Sequence, residues 1–109
     1  MSRDDERLAD IIEAAQKIAA RTARGRAAFD ADEDTQLVLL HLIQVIGEVA
    51  AGLSDGFIVE HPEVPWHPII ATRSRVVHGY FEADLDLLWD VAIIDVPELA
   101  SQVRRIQSS

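Results

Sequence analysis

Apolar side chains recur at three- and four-residue spacings along almost the whole of this 109-residue chain, and that period commits it to helices. In the first segment Leu8, Ile11, Ile12, Ala15, Ile18 and Ala19 form one stripe, and Gly25 reads as its stop signal. A second run opens with Asp30, Asp32 and Asp34, acids suited to a helix N-terminus. It continues through Val38, Leu39, Leu42, Ile43, Val45, Ile46, Val49 and Leu53, a stripe wide enough to predict a central helix packed on two sides. Gly52, Asp55 and Gly56 close it, and residues 55–65, with Pro62 and Pro65, read as a loop pinned by Phe57, Ile58 and Val59. Pro65-Trp66-His67-Pro68 reads as the start of a third helix, through Ile69, Ile70, Arg73, Val76 and Val77, with Gly79 placed as its C-terminal cap. Asp84 or Asp86 starts a fourth, through Leu85, Leu88, Trp89, Ala92 and Ile93. Pro97 ends or kinks it and opens a last helix to about Arg105. The expected fold is a single all-α domain over residues 1–109, an antiparallel bundle of four to five helices. Its wide stripes leave one face for a partner, and a homodimer is the economical way to cover it.

Composition narrows the chemistry. The chain has no cysteine, which removes disulfide scaffolds, thiolate zinc sites and cysteine nucleophiles. With 19 acidic and 10 basic side chains, its net charge of -9 argues against nucleic-acid binding by overall charge and leaves only a local basic groove. Residues 1–26 carry six basic and five acidic groups, whereas residues 27–109 carry four and fourteen. Arg21, Arg24 and Arg26 therefore read first as charge placed at a helix C-terminus, with an RNA or partner contact as the alternative. The first 26 residues lack the apolar run of a signal peptide, and no uninterrupted apolar stretch approaches the ~20 residues of a bilayer span. A cytoplasmic protein with no membrane partner is expected.

The informative stretch is Arg73-Ser74-Arg75-Val76-Val77-His78-Gly79-Tyr80. A guanidinium offers a fixed fork of donors to a phosphate, and an imidazole exchanges protons near neutral pH. Together they suit phosphodiester chemistry. Arg73 and His78 are five residues apart, about 140° around an ideal helix, so they do not share a face. Their cooperation needs a distorted helix end near Gly79 or a second protomer. Without catalysis, the same residues serve the helix dipole and neutralise nearby acid.

This string resembles the Arg-x4-His-x-Tyr motif of the HepT-like branch of the HEPN superfamily. The flanking strings agree: Ile46-Gly47-Glu48-Val49, Pro65-Trp66, Tyr80-Phe81, Asp84-Leu85 with Trp89, and Pro97-Glu98-Leu99, so the likeness covers roughly residues 30–105. The resemblance implies a dimeric all-α, HEPN-like fold. It also implies a metal-independent endoribonuclease, the toxin of a type VII toxin–antitoxin pair, with an MntA-like nucleotidyltransferase as antitoxin. Carried over, Arg73 and His78 are the catalytic pair, Ser74, Arg75 and Glu48 support them, and Tyr80 is the tyrosine that receives AMP. The family has Asn after the first Arg where this chain has Ser74, a shorter group to hold the imidazole. The alternative is a weakened or inactive binding module that docks a nucleotidyltransferase or a nucleotide.

Other residues read as structural. Gly47 inside a helix fits a close helix approach, whereas Glu48, standing to pair with Arg73 or Arg75, would either position the guanidinium or merely neutralise it. His41, His61 and His67 show no metal-ligand spacing, so no metal and no cofactor are expected. Trp66 and Trp89 read as core or interface anchors.

Overall fold

A computed structural model describes residues 2–72 and 84–109. Among the described residues every regular element is helical. Helix α1 (Arg3–Thr22) begins with a reciprocal cap: the Ser2 hydroxyl accepts from the Asp5 N–H at 3.1 Å and the Asp5 carboxylate accepts from the Ser2 N–H at 3.2 Å. Its inward stripe is Leu8, Ile11, Ala14, Ala15 and Ile18. Ala19, expected in that stripe, is exposed, because the buried arc takes in Ala14 instead.

The chain then breaks twice in ten residues. Gly25 has φ of 91°, a conformation a side chain would strain, and it reverses the chain after α1. A short α2 (Arg26–Ala31) follows. Asp32 is extended and caps α3 (Glu33–Ala51), accepting from the Asp34 N–H at 3.0 Å and the Thr35 hydroxyl at 2.8 Å. Asp30 thus belongs to α2 and does not open the central helix. Arg26 stands at the start of α2, three residues beyond the C-cap of α1 and not in its last turn. Gln36 ties the two helices together, its amide donating to the Phe29 carbonyl at 2.9 Å.

Helix α3 carries Leu39, Leu42, Ile43, Ile46, Gly47 and Ala50 into the core. It alone among the described helices has the length and apolarity of a membrane span, but its buried face packs against α1, α2 and α6 within the bundle. Residues 55–60, expected as loop, form α4 (Asp55–Glu60), because the Ser54 hydroxyl caps it by accepting from the Phe57 N–H at 3.2 Å. Phe57 and Ile58 pack on the core as expected, but Val59 points outward, 76% exposed.

Helix α5 starts where the prolines predicted it, and its described part spans residues 66–72. Asp84 caps α6 (Leu85–Asp90), accepting from the Leu87 N–H at 3.2 Å. One π-helical turn, Val91–Asp95, then leads into α7 (Val96–Gln107) without a break, since Asp90, Val91, Asp95 and Val96 all keep right-handed helical geometry. Pro97 therefore neither ends nor opens a separate rod. It sits in the first turn of α7, where the wider turn before it accommodates the missing donor. The short α2 and α4 bring the described α-helices to seven, against four to five expected.

Helix orientation follows from two contacts. Asp4 at the start of α1 meets Ser54 just after α3, so α1 and α3 run antiparallel. Arg26, just after α1, meets Asp86 in the first turn of α6, and α7 returns along α1.

Candidate functional site

Arg73, Ser74, Arg75, His78 and Tyr80 lie outside the described residues, as does the predicted cap at Gly79. What the structure defines is the frame on either side of them, and the position of Glu48.

On the leading side, α5 is seated by Trp66. Its ring is only 2% exposed, and its indole N–H donates to the His61 carbonyl at 3.0 Å, as a buried Trp requires. Phe57 packs against it with ring centroids 5.9 Å apart, and His61 stacks on Phe57 at 4.5 Å. His61 also lies 3.3 Å from Glu63, while His41 and His67 are exposed. The contacts of His61 with Phe57 and Glu63 fit the structural reading of that residue. Thr72, the last described residue before Arg73, donates its hydroxyl to the Pro68 carbonyl at 2.8 Å. It lines a narrow cleft with Ile43 and Ile46 of α3 and with Val91, Asp95 and Leu99 of the last rod. Thr72 thus stands between the central helix and the π-helical turn.

Beside this cleft, α5 and α7 frame a second one of about 230 Å³, where Asp95, Glu98 and Gln102 stand over Pro68, Ile69 and Leu99. The Gln102 amide donates to the Glu63 carbonyl at 3.2 Å, and its buried side-chain oxygen has no partner among the described residues. A larger groove of about 310 Å³ runs between α1 and α7. Its walls are mainly alanines with Ile93 and Val96, and Arg104 is its one charged lining residue, so it lacks the acid–base pair a reaction centre needs.

On the trailing side, the start of α6 is held by its Asp84 cap and by Arg26. The Arg26 guanidinium donates to Asp30 at 2.8 Å and to Asp86 at 2.6 Å. It also lies over the rings of Phe29, at 5.6 Å, and Trp89, at 6.0 Å, which pack on each other at 5.1 Å. The two carboxylates, Asp30 first, hold the guanidinium more firmly protonated than usual. Trp89 is thus the anchor expected of it, and Arg26 is drawn from the basic cluster into a clasp. Sequence reading missed this clasp. Its partners are 60 residues apart, and no periodicity connects them.

Glu48 is exposed on the last turns of α3, beyond the buried Gly47. Burial of Gly47 accords with the close approach expected there. Among the described residues no group of three or more His, Asp or Glu side chains could hold a metal ion.

The Ribonuclease HepT-like family matches residues 11–106, a range that contains the whole motif string. A protein of Thermococcus cleftensis, named as a probable ribonuclease HepT, is 30% identical over 79 residues, which is 72% of each chain. One from Methanocaldococcus jannaschii, named as a candidate RNase, is 32% identical over 75 residues, 69% of this chain and 62% of the relative. Another such protein, from Caldanaerobacter subterraneus, is 33% identical over 64 residues, 59% of this chain and 57% of its own. This chain thus spans less than two thirds of the length of the latter two. No solved structure matches it significantly. With a family match across most of its length and a described structure that is all helical, the chain belongs to the Ribonuclease HepT-like family.

Proposed function

We propose that this protein is an RNA endonuclease of the HepT type, working as a homodimeric single domain over residues 1–109 in the cytoplasm. The observation that carries the reading is the placement of Arg73 and His78, at the family's motif spacing, inside the matched range 11–106. His78 takes the proton from a ribose 2′-hydroxyl, and the 2′-oxygen attacks the adjacent phosphorus. The 5′-oxygen leaves and is protonated, giving a 2′,3′-cyclic phosphate and a 5′-hydroxyl end. Arg73 binds the phosphate as its negative charge shifts, and Arg75 supports it. Because the nucleophile belongs to the substrate, this route needs no metal ion. Residues five apart diverge by about 140° on an ideal helix, so a composite groove between two protomers would let one copy hold the phosphate with Arg73 while the other moves the proton with His78.

The proposed biological setting is a toxin–antitoxin pair. A nucleotidyltransferase partner adds AMP to Tyr80, and the added phosphate fills the anion site beside Arg73 and Arg75. RNA cleavage by the purified protein tests the chemistry. His78→Ala and Arg73→Ala are expected to lower it by about 10²–10⁴-fold, the usual contribution of a positioned acid–base group. Wild-type cleavage by either variant would overturn the assignment.

Ser74 favours a second reading, a binding module whose catalysis has weakened, because serine reaches the imidazole less well than asparagine. Ser74→Asn separates the two. A gain in cleavage supports the weakened enzyme, and an unchanged rate removes the reason for this second reading. After co-expression with the nucleotidyltransferase, a mass increase in AMP steps that is absent in Tyr80→Phe identifies the modified residue.

A further inference from the structure

We infer that the groove between α1 and α7 is the docking face for a second copy of this chain, the two α6–α7 rods running antiparallel about a two-fold axis at Pro97. The inference rests on the homodimer of the proposed function and names its face. It does not rest on RNA cleavage.

The groove pairs a hollow with a knob. Buried Ala15, Ala92 and Ala100 floor it, while Ile93 in its wall is 40% exposed and the adjacent Ile94 is 56% exposed. One cation over an apolar floor does not suit a nucleic acid, which needs several phosphate contacts. A face that carries both a hollow and a knob can be complementary to itself, which a two-fold contact requires.

The order of residues along the rod says how the copies meet. Asp90, Ile93, Pro97, Ala100 and Arg104 follow one another at three- and four-residue spacings, so they form one line along the edge that faces α1. The last four line the groove, and Asp90 is the exposed last residue of α6, one turn before Ile93. The π-helical turn does not break the line, because Ile93 within it and Pro97 beyond it share the groove. Asp90 and Arg104 stand seven residues to either side of Pro97. Rotation about Pro97 therefore sets Asp90 against Arg104 of the partner subunit and Ile93 over Ala100 of the partner subunit. Acid meets base and large meets small, each twice by symmetry. Among the described residues neither Asp90 nor Arg104 forms an ion pair within its own chain, so both charges are open to a partner. Two copies of net charge -9 repel, and opposed charges at the contact offset that repulsion where it is strongest.

Sedimentation equilibrium of the full chain tests this. The wild type is expected to be a dimer, and Ile93→Asp to raise its dissociation constant by about 30-fold, the loss that marks an interface anchor. Asp90→Arg and Arg104→Glu each set like charges together and are expected to weaken the dimer by about tenfold. Combining the two restores opposite charges and is expected to restore the affinity. This rescue decides the matter even if Ile93→Asp fails to fold. A dimer untouched by the single variants would overturn this face and keep the homodimer, and a double variant without recovery would overturn the antiparallel register. Open chains of copies that grow with concentration would also overturn it, because a two-fold contact closes. A monomeric wild type would remove both the inference and the homodimer, and a nucleotidyltransferase bound to that monomer through Ile93 would give the groove to that partner. A wild-type dimer that cleaves no RNA would overturn the ribonuclease reading alone.

Discussion

Helix α1 is bracketed by two long-range polar contacts that look alike and differ in what they hold. At its start, Asp4 accepts from the backbone N–H of Ser54 at 3.0 Å and from its hydroxyl at 2.7 Å, 50 residues away. Just beyond its end, Arg26 joins Asp86, 60 residues away. The first contact ties one part of the scaffold to another, because Ser54 also caps α4. The second ties the start of α2 to the first turn of α6, through an Asp86 that is 87% exposed. The two ties should therefore separate in experiment, the first registering in stability and the second hardly at all.

Phe29→Ala gives the largest expected effect and removes the distinction deliberately. The ring is 1% exposed, central to the core and directly beneath the guanidinium. Losing a buried phenylalanine costs about 3–5 kcal/mol. A domain of this size would lose on the order of 10 °C or more in unfolding temperature. Stability and RNA cleavage should fall together here. An unchanged melting temperature would show that the ring supports the clasp but not the core.

What was legible in the sequence follows the same division. The stripes of α1 and α3 were readable because each runs for several turns, long enough for a 3.6-residue period to show, whereas the continuity of α6 with α7 across Pro97 was not, because proline reads as a break. Helices α2 and α4 were not, because six residues make fewer than two turns and their existence depends on local caps: a positive φ at Gly25, and the Ser54 hydroxyl. The proposed roles of Arg73, His78 and Tyr80 rest on residue type, motif spacing and the family resemblance, and these residues lie outside the described ones. The clasp around Arg26 was not readable, since it depends on α2 turning back toward α6, and Gly25 and Asp32 decide that turn. Of the basic cluster, Arg21 keeps the expected helix C-terminal place, in the last turn of α1 and donating to the Lys17 carbonyl at 3.2 Å, while Arg26 spends its fork on two acids.

Ser54→Ala sharpens the comparison from the other end. It removes the α4 cap and both of the hydroxyl's bonds, at a typical cost of about 1 kcal/mol. The expected result is a lower denaturant midpoint with kcat unchanged, whereas Asp86→Asn, which breaks an exposed pair, is expected to leave the midpoint nearly unmoved. An equal fall in midpoint in both variants would mean that the exposed pair matters as much as the cap, and the two ends would no longer be distinct.

The smallest effect concerns pH. The Ser54 hydroxyl, and then its N–H, hold the Asp4 carboxyl below the usual carboxylate range. A depressed folded-state pKa means that the unfolded chain binds the proton more readily, so acid favours unfolding. The Asp4 contribution is therefore fully present above the ordinary carboxylate pKa of about 4 and fades as pH falls below it. Urea midpoints of the wild type and Asp4→Asn, compared between neutral pH and pH 3, test this. The gap between the two proteins should be widest near neutrality and close on acidification. A gap that persists to pH 3 would show that the hydroxyl is held by geometry alone, with no contribution from the charge on Asp4.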